Sequence, residues 1–80
     1  MMLSAFQISL SEVSSGNNFV IMKIKLPPET NQRLHELGFS ETAVIRMIVN
    51  SSSKLICEVN NTRIGINHKI AKDIIVTPLN

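Results

Sequence analysis

Apolar and polar residues alternate along several short stretches of the chain, a pattern that predicts β-strands buried on one face. Residues 19–26 are an example, because Lys23 and Lys25 separate apolar residues of the opposite parity. The apolar residues that we expect to face the core of this strand are Val20, Met22, Ile24 and Leu26. This expectation fixes which side of the strand packs inside the protein.

Four later strands are predicted, over residues 43–49, 54–60, 62–66 and 74–76, and one short strand is expected before the turn at residues 14–18. The inward-facing residues of the two longer ones are Ala43, Ile45, Met47, Val49, Leu55, Cys57 and Val59. Asparagine readily adopts positive φ, so Asn60 and Asn61 suit a tight hairpin turn between the second and third of these strands. The pattern therefore indicates a meander of antiparallel strands.

One short α-helix is predicted over residues 28–37. Pro28 suits the first helical turn, and Gly38 suits the left-handed cap at the end. Leu34 and Leu37 are three residues apart and form the expected buried stripe. A single helical turn over residues 68–72, capped by Asn67, precedes the last strand.

The order of elements is strand, strand, helix, three meandering strands, helical turn, strand. Short strands joined by tight turns in 80 residues are typical of a small barrel that closes on itself and so leaves no free edges. We expect a mainly β fold and a single domain over residues 1–80. A chain of this length is too short for a large-cleft enzyme of about 150–250 residues.

The charge pattern narrows the set of partners. The net charge is +2, and no run of basic residues forms an arm for nucleic acid or a patch for anionic lipid. No apolar run approaches the roughly 20 residues that span a bilayer. The first residues lack the basic and apolar regions of a secretory signal, and the chain has one cysteine. We therefore expect a cytoplasmic protein that neither enters the membrane nor binds nucleic acid directly.

Side chains suited to metal binding or catalysis are few and scattered. The available metal ligands are His35, Glu36, Cys57, His68 and Asp73. None has the short spacing of a transition-metal site, and His35 and Glu36 point about 100° apart on a helix. Cys57 has inward parity and is expected to be a small buried apolar residue, whereas His35 and His68 are expected to be solvated.

Catalysis is not expected, because nucleophile activation needs a base and an orienting group within reach, and the serines cluster in turns. Weak binding of a transition metal such as Fe²⁺ is left open, with His35, Glu36 and His68 as candidates and with a site completed by another chain as an alternative. A homo-oligomer is also left open. Three phenylalanines without Trp or Tyr are too few aromatics for a proline-rich peptide groove or a nucleic-acid platform.

Three segments resemble the FeoA family, whose members are small cytosolic partners of the bacterial ferrous-iron permease. The segment from Arg33 to Phe39, RLHELGF, is similar to the family's R-L-x-E-L-G-[LF] helix end. The second is the strand pair at residues 44–49 and 55–59. The third is residues 62–67, followed by Ala71, Ile74 and Val76. The resemblance covers residues 10–76 and implies an SH3-like barrel.

The resemblance also implies a function, namely accessory binding and modulation of the GTPase-coupled permease without bond chemistry. We expect the partner to contact Arg33, His35, Glu36 and Phe39, on the helix face that also carries Gln32. Phe39 has two readings, an exposed anchor for the partner or a staple that holds the helix to the barrel. The alternative function is a metal-responsive regulatory module, since similar barrels occur at the C-terminal end of metal-dependent repressors.

Two loops differ from the family's pattern. The family usually has Pro-Gly soon after the helix glycine, where this chain has Glu41 and Thr42. The family often has a Gly- or Pro-bearing loop between the two long strands, where this chain has residues 50–53, Asn-Ser-Ser-Ser. These differences leave the barrel intact but bear on any partner contact made through the loops.

Overall fold

The computed structural model describes residues 6–79, so residues 1–5 and 80 of the expected single domain lie outside the described residues. Six strands and two helices follow one another, with a single 3₁₀ turn, Leu10–Glu12, after the first strand. The strands are β1 (Ile8–Ser9), β2 (Asn18–Ile24), β3 (Val44–Asn50), β4 (Leu55–Val59), β5 (Thr62–Gly65) and β6 (Ile74–Leu79). The helices are α1 (Pro28–Glu36) and α2 (His68–Ala71). The predicted order of elements is confirmed.

All six strands form one antiparallel sheet in the order β1-β6-β2-β3-β4-β5. The mainly β fold with one short helix and one helical turn is thus confirmed. The pairing within residues 6–79 ends at β1 on one side and at β5 on the other. The expectation that closure removes every free edge is therefore wrong, because no pairing among these residues joins β1 to β5, the strands at the two ends of the sheet.

The inward face of β2 differs from the predicted one. Phe19 and Ile21 are fully buried, whereas Met22 is exposed. The pairing of β2 with β6 shifts register between Ile21 and Lys23, which marks a β-bulge at Met22. The extra residue reverses the parity, so that Ile24 faces the core as predicted while Val20 and Met22 do not. A bulge of this kind cannot be read from alternation alone, because it interrupts the alternation.

The inward faces of β3 and β4 agree with the prediction except at Val49. Ile45, Met47, Leu55, Cys57 and Val59 are all buried. Val49 is half-buried, because the pairing of β3 with β4 shifts register between Met47 and Val49 and interrupts the alternation. The Asn60–Asn61 turn has φ of 52° and 62°, as a tight hairpin requires. The core of the described chain is entirely apolar; it contains Leu10, Val13, Phe19, Ile21, Ile24, Leu34, Phe39, Ile45, Met47, Leu55, Cys57, Val59, Ile66, Ala71, Ile74 and Val76.

Helix α1 begins at the proline pair and ends at a glycine cap. Gly38 has φ of 99°, its N–H donates to the carbonyl of His35 at 3.0 Å, and the N–H of Phe39 donates to that of Leu34 at 2.8 Å. These two bonds form a Schellman motif. A Cβ on Gly38 would lie 3.0 Å from both Val59 Cγ2 and Asn60 Nδ2, so only glycine fits where the helix end meets β4.

The turn from Ser40 to Ala43 shows what the loss of Pro-Gly changes. The N–H of Ala43 donates to the carbonyl of Ser40 at 3.0 Å, and Thr42 has φ of 74°. A positive φ at the third residue is the mark of a type II turn, which favours proline at the second position and glycine at the third. The Pro-Gly pair that we expect from the family suits this turn, and Glu41 and Thr42 occupy the same two positions.

We expect Thr42→Gly to stabilise the domain, because a β-branched residue is strained at positive φ. The left-handed penalty of about 1–2 kcal/mol exceeds glycine's entropic cost of about 0.5–1 kcal/mol. The net gain of about 0.5–1 kcal/mol should raise Tm by roughly 2–6 °C. Thr42→Ala is the control, since alanine keeps the Cβ and most of the strain. Equal melting temperatures for both variants would contradict this account.

Candidate docking surface

The predicted contact residues of α1 fall into two groups. Arg33, His35 and Glu36 are exposed, as is Gln32 beside them. Phe39 is 0% exposed and belongs to the core cluster. Phe39 is therefore the staple, and its inclusion among the residues expected to touch a partner is corrected, because its ring has no accessible surface.

Leu37 differs from its prediction in the opposite way, because it is exposed and not buried. We expected it in the buried stripe with Leu34, but it is 47% exposed while Leu34 is buried. The helix ends at Glu36, and Leu37 is the C-cap residue, whose N–H still donates to the carbonyl of Arg33 at 3.3 Å. Phe39, placed beyond the glycine, fills the core instead. The end of α1 thus presents an apolar side chain next to Arg33, His35 and Glu36.

A shallow groove of about 340 Å³ runs along the same helix. It is lined by Pro28, Asn31, Gln32 and His35. The Oδ1 atom of Asn31 is buried and has no hydrogen-bond partner among the described residues. The name α1 surface is used below for Gln32, Arg33, His35, Glu36 and Leu37. The groove and the α1 surface share His35 and Gln32, so a partner seated on one would reach the other.

The candidate metal ligands do not converge. Within residues 6–79, no group of three or more His, Cys, Asp or Glu side chains is placed to hold a metal ion. His35 and Glu36 lie on α1, whereas His68 lies on α2. Burial raises the pKa of the Cys57 thiol to about 12, so it stays protonated at neutral pH and is neither a thiolate ligand nor a nucleophile.

His68 was predicted to be freely solvated, but its side chain belongs to a hydrogen-bond network. Its Nε2 lies 3.1 Å from Oδ1 of Asn50. The Nδ2 of Asn50 donates to the carbonyls of Ser11 at 2.9 Å and Val13 at 2.7 Å. Because these two carbonyls fix the amide orientation, Oδ1 must accept and His68 Nε2 must donate. The network ties α2 and the 3₁₀ turn to the end of β3.

Sequence reasoning missed this network and the exposure of two apolar residues, Met22 and Leu37. Val44 is also exposed, in agreement with the predicted faces of β3. The sequence did draw attention to Asn50, because it follows an apolar run and begins the segment, residues 50–53, in which the chain differs from the family. No signal identified the acceptors of its amide, because they lie 37 and 39 residues away. The described residues also contain no helix that is long and apolar enough to cross a membrane.

Several solved structures share this fold. An iron uptake regulatory protein (FeoA) aligns with a TM-score of 0.85 at 23% identity, over 92% of this chain and 100% of that chain. The FeoA protein from Chlorobium tepidum aligns with a TM-score of 0.83 at 20% identity, over 91% and 71%. A manganese-dependent transcriptional repressor aligns with a TM-score of 0.84 at 14% identity, over 95% of this chain but 43% of the repressor.

The sequence comparisons distinguish between the FeoA proteins and the repressor as relatives of this chain. No curated protein sequence matches the chain. These three structural likenesses are below 25% identity and show a common fold, an SH3-like domain that makes up the whole of the first FeoA chain and less than half of the repressor. The family model for the FeoA domain matches residues 8–78, nearly the whole chain. This chain therefore belongs to the FeoA domain family.

Proposed function

We propose that this chain is a small cytoplasmic accessory protein of ferrous-iron uptake, which docks on the GTPase-bearing part of the ferrous-iron permease and modulates it. Membership of the FeoA domain family supports the role in iron transport. One of the similar structures is that of an iron uptake regulatory protein. The action proposed for this chain is docking, with no bond chemistry.

One observation carries the choice of docking surface, namely the exposure of Leu37 at the core-anchored end of α1. Leu34 and Phe39 anchor the helix end from the core side, and Gly38 packs against β4. A partner would therefore meet Leu37 next to a helix end that is anchored in the core. An apolar residue surrounded by polar and charged ones is the usual composition of an interaction hot spot and its rim.

The α1 surface also offers charges of both signs. Arg33 and Glu36 are exposed on successive turns of α1, and neither forms an ion pair within the described part of the chain. Arginine can bind a carboxylate in a bidentate manner, which adds orientation to the apolar contact of Leu37. These features favour a protein partner with an apolar pocket next to an acidic side chain.

The test is binding to the purified cytosolic GTPase domain of the permease from the same cell, measured by calorimetry. We expect wild-type protein to bind at tens of micromolar or tighter. Leu37→Ala and Arg33→Ala should each weaken binding about tenfold. Arg46→Ala removes an exposed cation from the sheet and serves as the control. Absence of binding at tens of micromolar, or equal weakening by the control, would contradict the proposal.

The second candidate function is a metal-responsive regulatory module, favoured by the fold shared with the manganese-dependent repressor. Since the chain spans less than half of that repressor, it would regulate through another polypeptide. Fe²⁺ or Mn²⁺ would then change its oligomeric state, and His35→Ala, Glu36→Ala and His68→Ala would abolish the change. Sedimentation with and without either ion, in the presence of the GTPase domain, separates the two functions. The first function predicts a complex with the GTPase domain, and the second predicts a change of oligomeric state that depends on the ion.

A further inference from the structure

We infer that the free edge of β5 pairs with the β5 edge of a second copy of this chain to form a symmetric dimer. The inference concerns a surface other than the α1 surface and does not depend on the docking proposal. It starts from the open strand order, in which β5 pairs with β4 on one side only.

The hydrogen-bond pattern of the β4–β5 hairpin identifies which backbone groups face the open edge. The N–H of Ile66 donates to the carbonyl of Leu55 at 2.9 Å, so this is a hydrogen-bonded pair. Hydrogen-bonded and non-hydrogen-bonded pairs alternate in antiparallel strands. Cys57 and Ile64 are therefore a hydrogen-bonded pair, whereas Arg63, opposite Glu58, and Gly65, opposite Ile56, are in non-hydrogen-bonded pairs. The N–H and C=O groups of Arg63 and Gly65 consequently point away from β4.

No other strand of the described chain pairs with this edge. Thr62, Arg63 and Gly65 are exposed, and β4 is the one described element with which β5 makes extensive contact. The pairing with β4 is regular at all four positions, so no bulge turns the edge away. Proline and lysine, which commonly protect free edges, do not occur in β5. A Cβ on Gly65 would meet nothing within 4 Å, so approach from outside is unhindered.

A second copy fits this edge because the strand is complementary to itself. When two β5 strands pair antiparallel about a twofold axis at Ile64, Arg63 of each copy lies opposite Gly65 of the other. All four outward-facing residues then exchange their N–H and C=O hydrogen bonds. A register that places Arg63 opposite Arg63 would set like charges face to face and is disfavoured. The twofold arrangement is the commonest symmetry of protein dimers.

The side chains agree with this register. Arg63 faces a residue without a side chain, which leaves room for its guanidinium. Ile64 is partly buried against the core and meets Ile64 of the second copy in a non-hydrogen-bonded pair, in which cross-strand side chains approach closely. An edge of four residues is about 14 Å long, too short to bury the roughly 1,200 Å² of a stable interface. We therefore expect a weak dimer, with Kd on the order of 0.1–1 mM.

The test is sedimentation of the full chain up to about 2 mM, combined with amide hydrogen exchange by NMR. Wild type should associate in this range, and the exchange of the Arg63 and Gly65 amides should slow as concentration rises. Gly65→Glu places a carboxylate opposite Arg63 of the second copy at two symmetric positions and should tighten the dimer by about three- to tenfold. Gly65→Arg should weaken it by a similar factor.

Ser52→Glu and Ser52→Arg make the same changes of net charge in an exposed loop and should leave Kd within about twofold of wild type. The inference is overturned if wild type stays monomeric, if the Arg63 and Gly65 amides exchange equally fast at all concentrations, or if the two Gly65 variants shift Kd in the same direction. It is also overturned if the Ser52 pair reproduces the Gly65 effects, because net charge would then explain them.

Discussion

Ile45→Asp is expected to unfold the domain, whereas Val44→Asp leaves it folded. The two residues are neighbours on β3 but face opposite sides of the sheet, with Ile45 1% and Val44 60% exposed. An unpaired carboxylate in an apolar core costs several kcal/mol. A domain of this size has a total stability of roughly 4–12 kcal/mol. The core formed by residues 6–79 has no buried polar residue that could pair with the new charge.

Far-UV circular dichroism and thermal melting check this expectation. Ile45→Asp should show no cooperative transition, and Val44→Asp should melt within a few degrees of wild type, since surface substitutions usually change stability by less than about 0.5 kcal/mol. If both variants melt like wild type, the assignment of the inward face of β3 is wrong. If both unfold, the outer face of the sheet is packed against something in solution.

Asn50→Asp is expected to lower stability by about 2–4 kcal/mol, because the substitution removes two donated hydrogen bonds and directs a carboxylate oxygen at two carbonyls. The amide of Asn50 bonds the carbonyls of Ser11 and Val13, so the 3₁₀ turn loses its attachment to β3. The new carboxylate can still accept a hydrogen bond from His68, and the variant therefore isolates the loss of the two donations.

The measurement is a thermal melt, in which Tm should fall by roughly 10–25 °C. Asn17→Asp is the matched control, because Asn17 is exposed in the turn before β2 and its side chain forms no hydrogen bond within the described residues. A decrease confined to the control, or equal decreases in both variants, would show that added negative charge and not the lost donor is responsible.

Residue parity predicted the inward faces of β4 and of β3 as far as Met47, since each side chain lies about 180° from the next along a strand. The same reasoning failed for β2, where one extra residue at Met22 places Phe19 and Ile21 inside instead of Val20. The bulge depends on how β2 pairs with β6, about 50 residues further along the chain. Alternation within one strand cannot report that pairing.

The end of α1 likewise combines features that the local sequence predicts with features that packing decides. Pro28 and Gly38 mark where α1 begins and ends, because both act through the backbone geometry of their own segment. Which of Leu37 and Phe39 is buried depends on where β4 lies relative to the glycine. The exposure of Leu37, on which the docking proposal rests, thus became visible only in the packed structure.

The sequence by itself determined the order of the elements, their turn residues, the family and the absence of an obvious catalytic or metal-binding motif, since these follow from local geometry and residue type. The tertiary structure alone decided which surfaces remain exposed, namely the α1 surface and the free edge of β5. It also decided the hydrogen-bond partners of Asn50 and His68. Exposure and hydrogen-bond partnership depend on segments that are distant in sequence, and a local pattern carries no record of them.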